Sequence, residues 1–115
     1  MVNFSKMPCI YWSTRMKMSY LQRRIIVYSI MYYYMNESCV TDQYFDSIAQ
    51  QLVQMKKQNP KEYKQTSYYY AMCDFDGSTG FDLYGRLIPF DKQYLTSIAT
   101  AVLDSYRKKA KKVCQ

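Results

Sequence analysis

Hydrophobic residues recur at helical spacing through much of this chain. From Met18 the segment MSYLQRRIIVYSIMYYYMN carries apolar side chains on two helix faces. One face has Leu21, Ile25, Tyr28 and Tyr32, and the other has Ile26, Ile30 and Tyr33. This pattern predicts a long helix that is buried on more than one side. Residues 1–17 show only weak periodicity around Pro8, and we assign no structure to them.

A second helix is predicted in the segment DQYFDSIAQQLVQMKKQ, where apolar residues are spaced by three and four: Phe45, Ile48, Leu52 and Met55. The Thr41 hydroxyl can accept an N–H of the first turn, and Asp42 suits the positive end of the helix dipole. Asn59 and Pro60 end the helix, because proline cannot continue it. With a polar break at Asn36, Glu37 and Ser38, residues 18–60 predict an antiparallel helical hairpin.

The remainder of the chain predicts a small sheet and a last helix. Residues 68–75 have strand composition, and Gly77 and Gly80 mark a turn, so we expect a β-hairpin over residues 67–88. Pro89 and Asp91 open a basic helix over residues 91–112, whose predicted apolar face is Tyr94, Leu95, Ile98, Val102 and Tyr106. The predicted fold class is α+β, mainly α, in one domain spanning residues 1–115.

The composition excludes several kinds of site. The chain has 14 tyrosines and no histidine, so the commonest acid–base group and the commonest metal ligand are both absent. Its 4 cysteines form no CxxC pair, which predicts reduced thiols and no metal centre. No apolar stretch reaches the roughly 20 residues of a membrane span. We therefore expect a cytoplasmic protein that makes no membrane contact.

The segment DFDGST, residues 74–79, resembles the nucleophile motif of haloacid-dehalogenase-type phosphatases. Those enzymes need a doubly wound parallel sheet, and the chain after Gly77 is too short to complete one. Asp74, Asp76 and Ser78 also alternate as calcium ligands do, but the glutamate that an EF-hand requires is replaced by Gly85. We therefore predict a non-catalytic protein, with a turn rich in aspartate and glycine at this segment.

A net charge of +7 favours an anionic partner. A basic run near the C-terminus contains the candidate contact residues Arg107, Lys108, Lys109, Lys111 and Lys112. Cations bind phosphates without sequence preference, and tyrosine rings can stack on bases. One predicted function is therefore a basic interaction module that binds nucleic acid or inhibits a macromolecular partner of a host. The alternative is that the charged run is only solvated.

A second functional prediction comes from YYYMNESCVTDQYFD, residues 32–46, at the junction of the first two helices. It provides an aromatic and acidic set of candidate ligand-binding residues: Tyr32, Tyr33, Asp42, Phe45 and Asp46. The rings could sandwich a flat cationic ring, while the carboxylates accept hydrogen bonds from hydroxyl or amide groups. Alternatively, the rings pack in the core, Asp42 stabilises the helix dipole and Asp46 is solvated.

These residues, within residues 23–66, resemble the small N-terminal helical subdomain of bacterial NAD-dependent DNA ligases. The matching pattern is the Tyr32-Tyr33 pair, Val40-Thr41, the Asp42 to Asp46 motif, Leu52 and Pro60. That subdomain binds the nicotinamide mononucleotide half of NAD. The resemblance implies that Tyr32 and Phe45 stack on the nicotinamide, and that Asp42 and Asp46 hydrogen-bond its ribose or amide. Tyr33 replaces the family's histidine, and Phe45 replaces its tyrosine.

Ligase chemistry itself is excluded by the sequence. The family's KxDG motif supplies the lysine that accepts the adenylate, and the nearest string here, residues 74–77, has Asp74 in that place. The chain is also too short for an adenylation domain. The resemblance therefore implies a small, non-catalytic protein that binds NAD, nicotinamide mononucleotide or another nucleotide. Its size suggests an accessory protein of a phage or mobile element that modulates host defence.

Overall fold

A computed structural model describes residues 12–77 and 80–114, with side chains as far as Lys108. Regular structure in these residues is entirely helical. Three long helices are joined by three helices of one turn: α1 (Thr14–Tyr34), α2 (Asp42–Gln58), α3 (Pro60–Tyr63), α4 (Tyr69–Met72), α5 (Leu83–Arg86) and α6 (Pro89–Cys114). None of the helices in the described part of the chain combines the length and apolar character needed to cross a membrane.

Helix α1 is the centre of the fold, and it packs against both α2 and α6. It begins four residues before the predicted Met18, because the Ser13 hydroxyl caps it by accepting the Met16 N–H at 3.2 Å. The predicted burial on more than one side is confirmed, since both faces contribute fully buried residues: Leu21, Ile25, Ile26 and Ile30. After α1 ends, Asn36 adopts a left-handed backbone conformation with φ 54°, which asparagine tolerates better than most residues.

Helix α2 follows the predicted boundaries. The Thr41 hydroxyl accepts the Tyr44 N–H at 3.0 Å, so the predicted cap is confirmed. The helix ends at Gln58, and Pro60 starts α3, where a missing N–H costs nothing because the first amides of a helix have no partner within it. Ile48, Ala49 and Leu52 are buried, and α2 packs back on α1 to form the expected helical hairpin.

The predicted β-hairpin over residues 67–88 is wrong, and with it the α+β fold class. Within the described residues this region forms the short helices α4 and α5 and no strand. The buried residues of the first half are Tyr68, Ala71, Met72 and Phe75. Their spacing of i, i+3, i+4 and i+7 is that of a helix face rather than the alternation of a strand. The protein is therefore mainly helical, as predicted, but without the small sheet.

The two glycines that were predicted to mark a hairpin turn have different roles in the structure. Gly77 has φ 87°, in the region that favours glycine. Gly80 is buried directly against Ser29 of α1, where an added Cβ would lie 2.0 Å from the Ser29 Oγ. Any residue type with a Cβ would clash here, so glycine allows the backbone to pass directly over α1 at this point.

Helix α6 lies along α1, and its buried face includes the predicted Leu95 but not the predicted tyrosines. Leu95, Ala99 and Leu103 are buried, whereas the predicted core residues Tyr94 and Tyr106 are 44% and 56% exposed. A 3.6-residue period leaves the face of a long amphipathic helix free to rotate by about one residue when several apolar rows compete. The C-terminal part of α6 is tied to the α1–α2 connection by an ion pair between Arg107 and Glu37.

A buried polar contact fixes residues 66–68 against α1. The Gln22 side chain is fully buried; its Nε2 donates to Thr66 Oγ1 at 2.8 Å, and its Oε1 accepts the Tyr68 N–H at 3.1 Å. The Tyr63 hydroxyl is also buried and donates to the Met72 carbonyl at 2.6 Å. Each of these buried groups has a partner, as buried polar atoms require.

Candidate functional site

All five residues that the sequence singled out as ligand-binding line one cavity of about 280 Å³. Tyr32 and Tyr33 come from the last turn of α1, and Asp42, Phe45 and Asp46 from the start of α2. The remaining described residues of the wall are Tyr28, Ser29, Ser38, Val40, Thr41 and Gly80. The hairpin geometry thus brings the two halves of the predicted set together.

The two tyrosines lie on the surface rather than in the core, whereas the alternative in which the rings pack inside describes Phe45. Tyr32 is 55% exposed and Tyr33 is 37% exposed. Their rings meet edge to face with centroids 4.9 Å apart, and Tyr33 makes a second edge contact with Phe81 at 5.3 Å. Phe45 is half-buried and packs on the core. The aromatic wall therefore consists of one ring that packs on the core, Phe45, and two rings that are exposed to solvent, Tyr32 and Tyr33.

The two carboxylates stand one turn apart at the start of α2, with both side chains exposed. Among the described residues, neither Asp42 nor Asp46 pairs with a cation or accepts a side-chain hydrogen bond. Within the described part of the wall, no lysine or arginine lines the cavity. The cavity thus combines aromatic faces with two carboxylates that no described side chain neutralises, which favours a positively charged planar group over an anionic one.

Six residues of the described wall were not among the predicted site residues, and Tyr28, Ser29 and Gly80 are three of them. Tyr28 lies one helical turn before Tyr32, so the i, i+4 spacing could have indicated it. Ser29 and Gly80 form the floor by their close approach. Gly80 is distant in sequence from the other wall residues. It reaches the cavity because it packs against Ser29, and the predicted β-hairpin gave no indication of that contact.

The basic residues proposed for nucleic acid are arranged differently from expectation. The Arg107 guanidinium pairs with Glu37 and lies 3.5 Å from an Asp104 oxygen, so it is occupied within the protein. Lys108 is exposed. The side chains of Lys109, Lys111 and Lys112 lie outside the described part of the structure. Arg107 reaches the α1–α2 connection through Glu37, next to Ser38 of the cavity wall, but neither Arg107 nor Lys108 lines the cavity.

Asp74 of the phosphatase-like motif is engaged by Arg86, whose Nη2 donates to Asp74 Oδ2 at 3.3 Å. This hydrogen bond lowers the pKa of Asp74 below its ordinary value. Arg86 also contacts Asp82 at 2.9 Å, one helical turn earlier in the chain, so its two ion pairs connect the start of α5 with the residues after α4. Among the described residues, no group of three or more acidic or cysteine side chains is placed to hold a metal ion.

No protein-family model, curated protein or solved structure matches this chain. The similarity of residues 23–66 to the ligase subdomain therefore stays a prediction from the residues themselves. The functional interpretation depends on the geometry of the cavity and on the chemistry of its wall.

Proposed function

We propose that this protein is a non-catalytic nucleotide-binding module that holds the nicotinamide mononucleotide half of NAD in the cavity between α1 and α2. The observation that carries the proposal is the convergence of Tyr32, Phe45, Asp42 and Asp46 on one cavity. They come from two helices separated by a turn, and the resemblance to the ligase subdomain implies that they contact nicotinamide mononucleotide.

The resemblance to the ligase subdomain implies this ligand class, and the chemistry of the wall supports it. A nicotinamide ring joined to ribose is planar and carries a positive charge, so it gains from aromatic faces and from nearby carboxylates. Asp42 and Asp46 have unused acceptor oxygens for ribose hydroxyls or the carboxamide N–H groups. Ligand pockets usually measure roughly 300–1,000 Å³. A cavity of about 280 Å³ is just below this range, which suits the ring and ribose of a mononucleotide better than a whole dinucleotide.

The module is proposed to act by binding alone. The chain has no histidine, and the cavity wall described here contains no lysine, arginine or cysteine. The wall therefore offers recognition groups rather than a nucleophile with an adjacent base.

Calorimetric titration of the full chain with nicotinamide mononucleotide tests the proposal. Binding should be saturable, and the thermal midpoint should rise with ligand concentration. Nicotinic acid mononucleotide is the matched control ligand, because its carboxylate replaces the amide and is repelled by the two aspartates. Asp42→Asn and Tyr32→Ala should each weaken binding by about tenfold or more, whereas Glu62→Gln, an exposed carboxylate change on α3, should not. Absence of heat and of any thermal shift at millimolar ligand refutes the proposal.

A further inference from the structure

A row of side chains runs along α1 from the cavity towards the N-terminus of the helix. Its members are spaced by four residues: Tyr20, Arg24, Tyr28 and Tyr32. Residues at this spacing lie on the same side of a helix, about 6 Å apart along its axis. Tyr28 and Tyr32 line the cavity, so Arg24 is the next residue beyond its wall.

Arg24 is a half-buried cation surrounded by tyrosines. Its Nε donates to the Tyr28 hydroxyl at 3.1 Å, and its Nη1 donates to the Tyr20 hydroxyl at 3.2 Å. Three ring centroids lie within 5.6 Å of the guanidinium carbon, those of Tyr20, Tyr28 and Tyr44. Among the described residues no carboxylate pairs with it. The positive charge is therefore fixed in position but not neutralised.

The guanidinium also keeps donors to spare. It has five N–H groups. Three of its hydrogen bonds go to tyrosine hydroxyls, from Nε, Nη1 and Nη2, which leaves two N–H groups for another acceptor. Phosphate oxygens are good acceptors for guanidinium N–H groups.

Arg24 faces a groove of about 490 Å³ between α1 and α6. Arg23 lines the same groove, together with Tyr20, Val27 and Ile98. Tyr28 belongs to both the groove and the cavity. A recess with two arginines thus adjoins a recess with two unpaired aspartates, and one tyrosine forms the boundary between them.

We infer that the groove at Arg24 and Arg23 is a phosphate subsite, which binds the 5′-phosphate of a ligand whose positively charged ring occupies the cavity. This inference rests on the proposed function and adds the residues that recognise the phosphate. The charge distribution requires such a division, because a phosphate held inside the cavity would face Asp42 and Asp46 with no cation in its described wall.

The test compares nicotinamide mononucleotide with nicotinamide riboside, which has the same ring and ribose but no phosphate. In calorimetric titrations of the full chain at low salt, the mononucleotide should bind about tenfold more tightly than the riboside. Arg24→Gln should reduce this ratio to about one. Arg24→Lys should retain part of the preference, because it keeps the charge but not the paired donors.

Arg15→Gln is the control, since Arg15 is an exposed arginine on the same helix, nine residues and roughly 14 Å of helix rise away from Arg24. It should preserve the preference for the mononucleotide. Circular dichroism at 222 nm checks that each variant is folded. If Arg24→Gln unfolds, Arg23→Gln is used instead. It should halve the preference for the mononucleotide or reduce it further.

Equal affinity of the wild-type protein for the two ligands overturns the phosphate subsite while leaving the nucleotide-binding proposal intact. An equal loss of preference in Arg15→Gln also overturns it, because the effect would then come from net charge. Binding of neither ligand refutes the proposed function itself, and the subsite with it.

Discussion

Replacing Gln22 by leucine should destabilise the protein by about 2–3 kcal/mol, although the two side chains have nearly the same size. Gln22 is fully buried, and its oxygen is the acceptor for the Tyr68 N–H. Leucine leaves this backbone donor without a partner, which costs about 1–3 kcal/mol for a buried group. The hydrogen bond to Thr66 is lost as well, worth about 0.5–1.5 kcal/mol. Burial of additional apolar surface returns part of this cost.

The measurement is urea unfolding followed by circular dichroism, with the free energy of unfolding extrapolated to water and the slope m checked for constancy. Gln54→Leu is the matched control, because Gln54 is exposed on α2 and the same chemical change there should stay within about 0.5 kcal/mol. If Gln22→Leu is as stable as the wild type, the buried amide does not satisfy the Tyr68 N–H in solution. The account of how residues 66–68 are held against α1 would then fail.

Three further predictions follow from single contacts. Thr41→Ala removes the α2 cap and should cost about 1 kcal/mol in urea unfolding, while Thr41→Ser should restore most of it. Burial raises the pKa of Tyr63 to about 12, above its unfolded value of about 10. Because the unfolded state loses its proton first, stability should fall as the pH rises from about 10 to about 12, and Tyr63→Phe should reduce this fall. Gly80→Ala drives a Cβ into Ser29 and should cost about 1–3 kcal/mol, whereas Gly85→Ala, which meets no atom within 4 Å, should be neutral or slightly stabilising in the same assay.

The helical hairpin could be predicted because its signals are local and agree with one another. The capping hydroxyl of Thr41, the apolar spacing through Leu52 and the stop at Pro60 all lie within twenty residues. The candidate cavity followed from the same local signals, since the end of one helix and the start of the next are joined by a short turn. Only the part of the cavity wall at Gly80 depends on a contact that is distant in sequence.

The region from residue 67 to residue 88 could not be predicted in this way. Tyrosine and phenylalanine favour strands by composition, and Gly77 and Gly80 are typical of turns. Its actual conformation depends on long-range partners: the Gln22 oxygen at Tyr68 and the Ser29 surface at Gly80. The spacing of the buried residues, Tyr68, Ala71, Met72 and Phe75, did carry a helical signal that composition obscured.

The rotation of α6 was unpredictable for a related reason. Apolar residues occur on several of its faces, and the contact with α1 selects the row of Leu95, Ala99 and Leu103. The aromatic rows are left outside, with Phe90 at 72% exposure. Similarly, the arrangement of Arg24 among three tyrosines combines a helix row with Tyr44 of α2, so spacing within α1 alone could not indicate it.

The central position of α1 has a consequence for the order of folding. Its contacts with α2 join residues close in sequence, whereas its contacts with α6 must close a loop of more than fifty residues. Closing a loop of this length costs chain entropy before the contacts between α1 and α6 can form. The α1–α2 hairpin should therefore form before α6 docks. Kinetic measurements on Ile48→Val and Leu95→Ala would then differ: the first should mainly slow refolding, and the second should mainly accelerate unfolding. Formation of the cavity would accordingly precede completion of the native core.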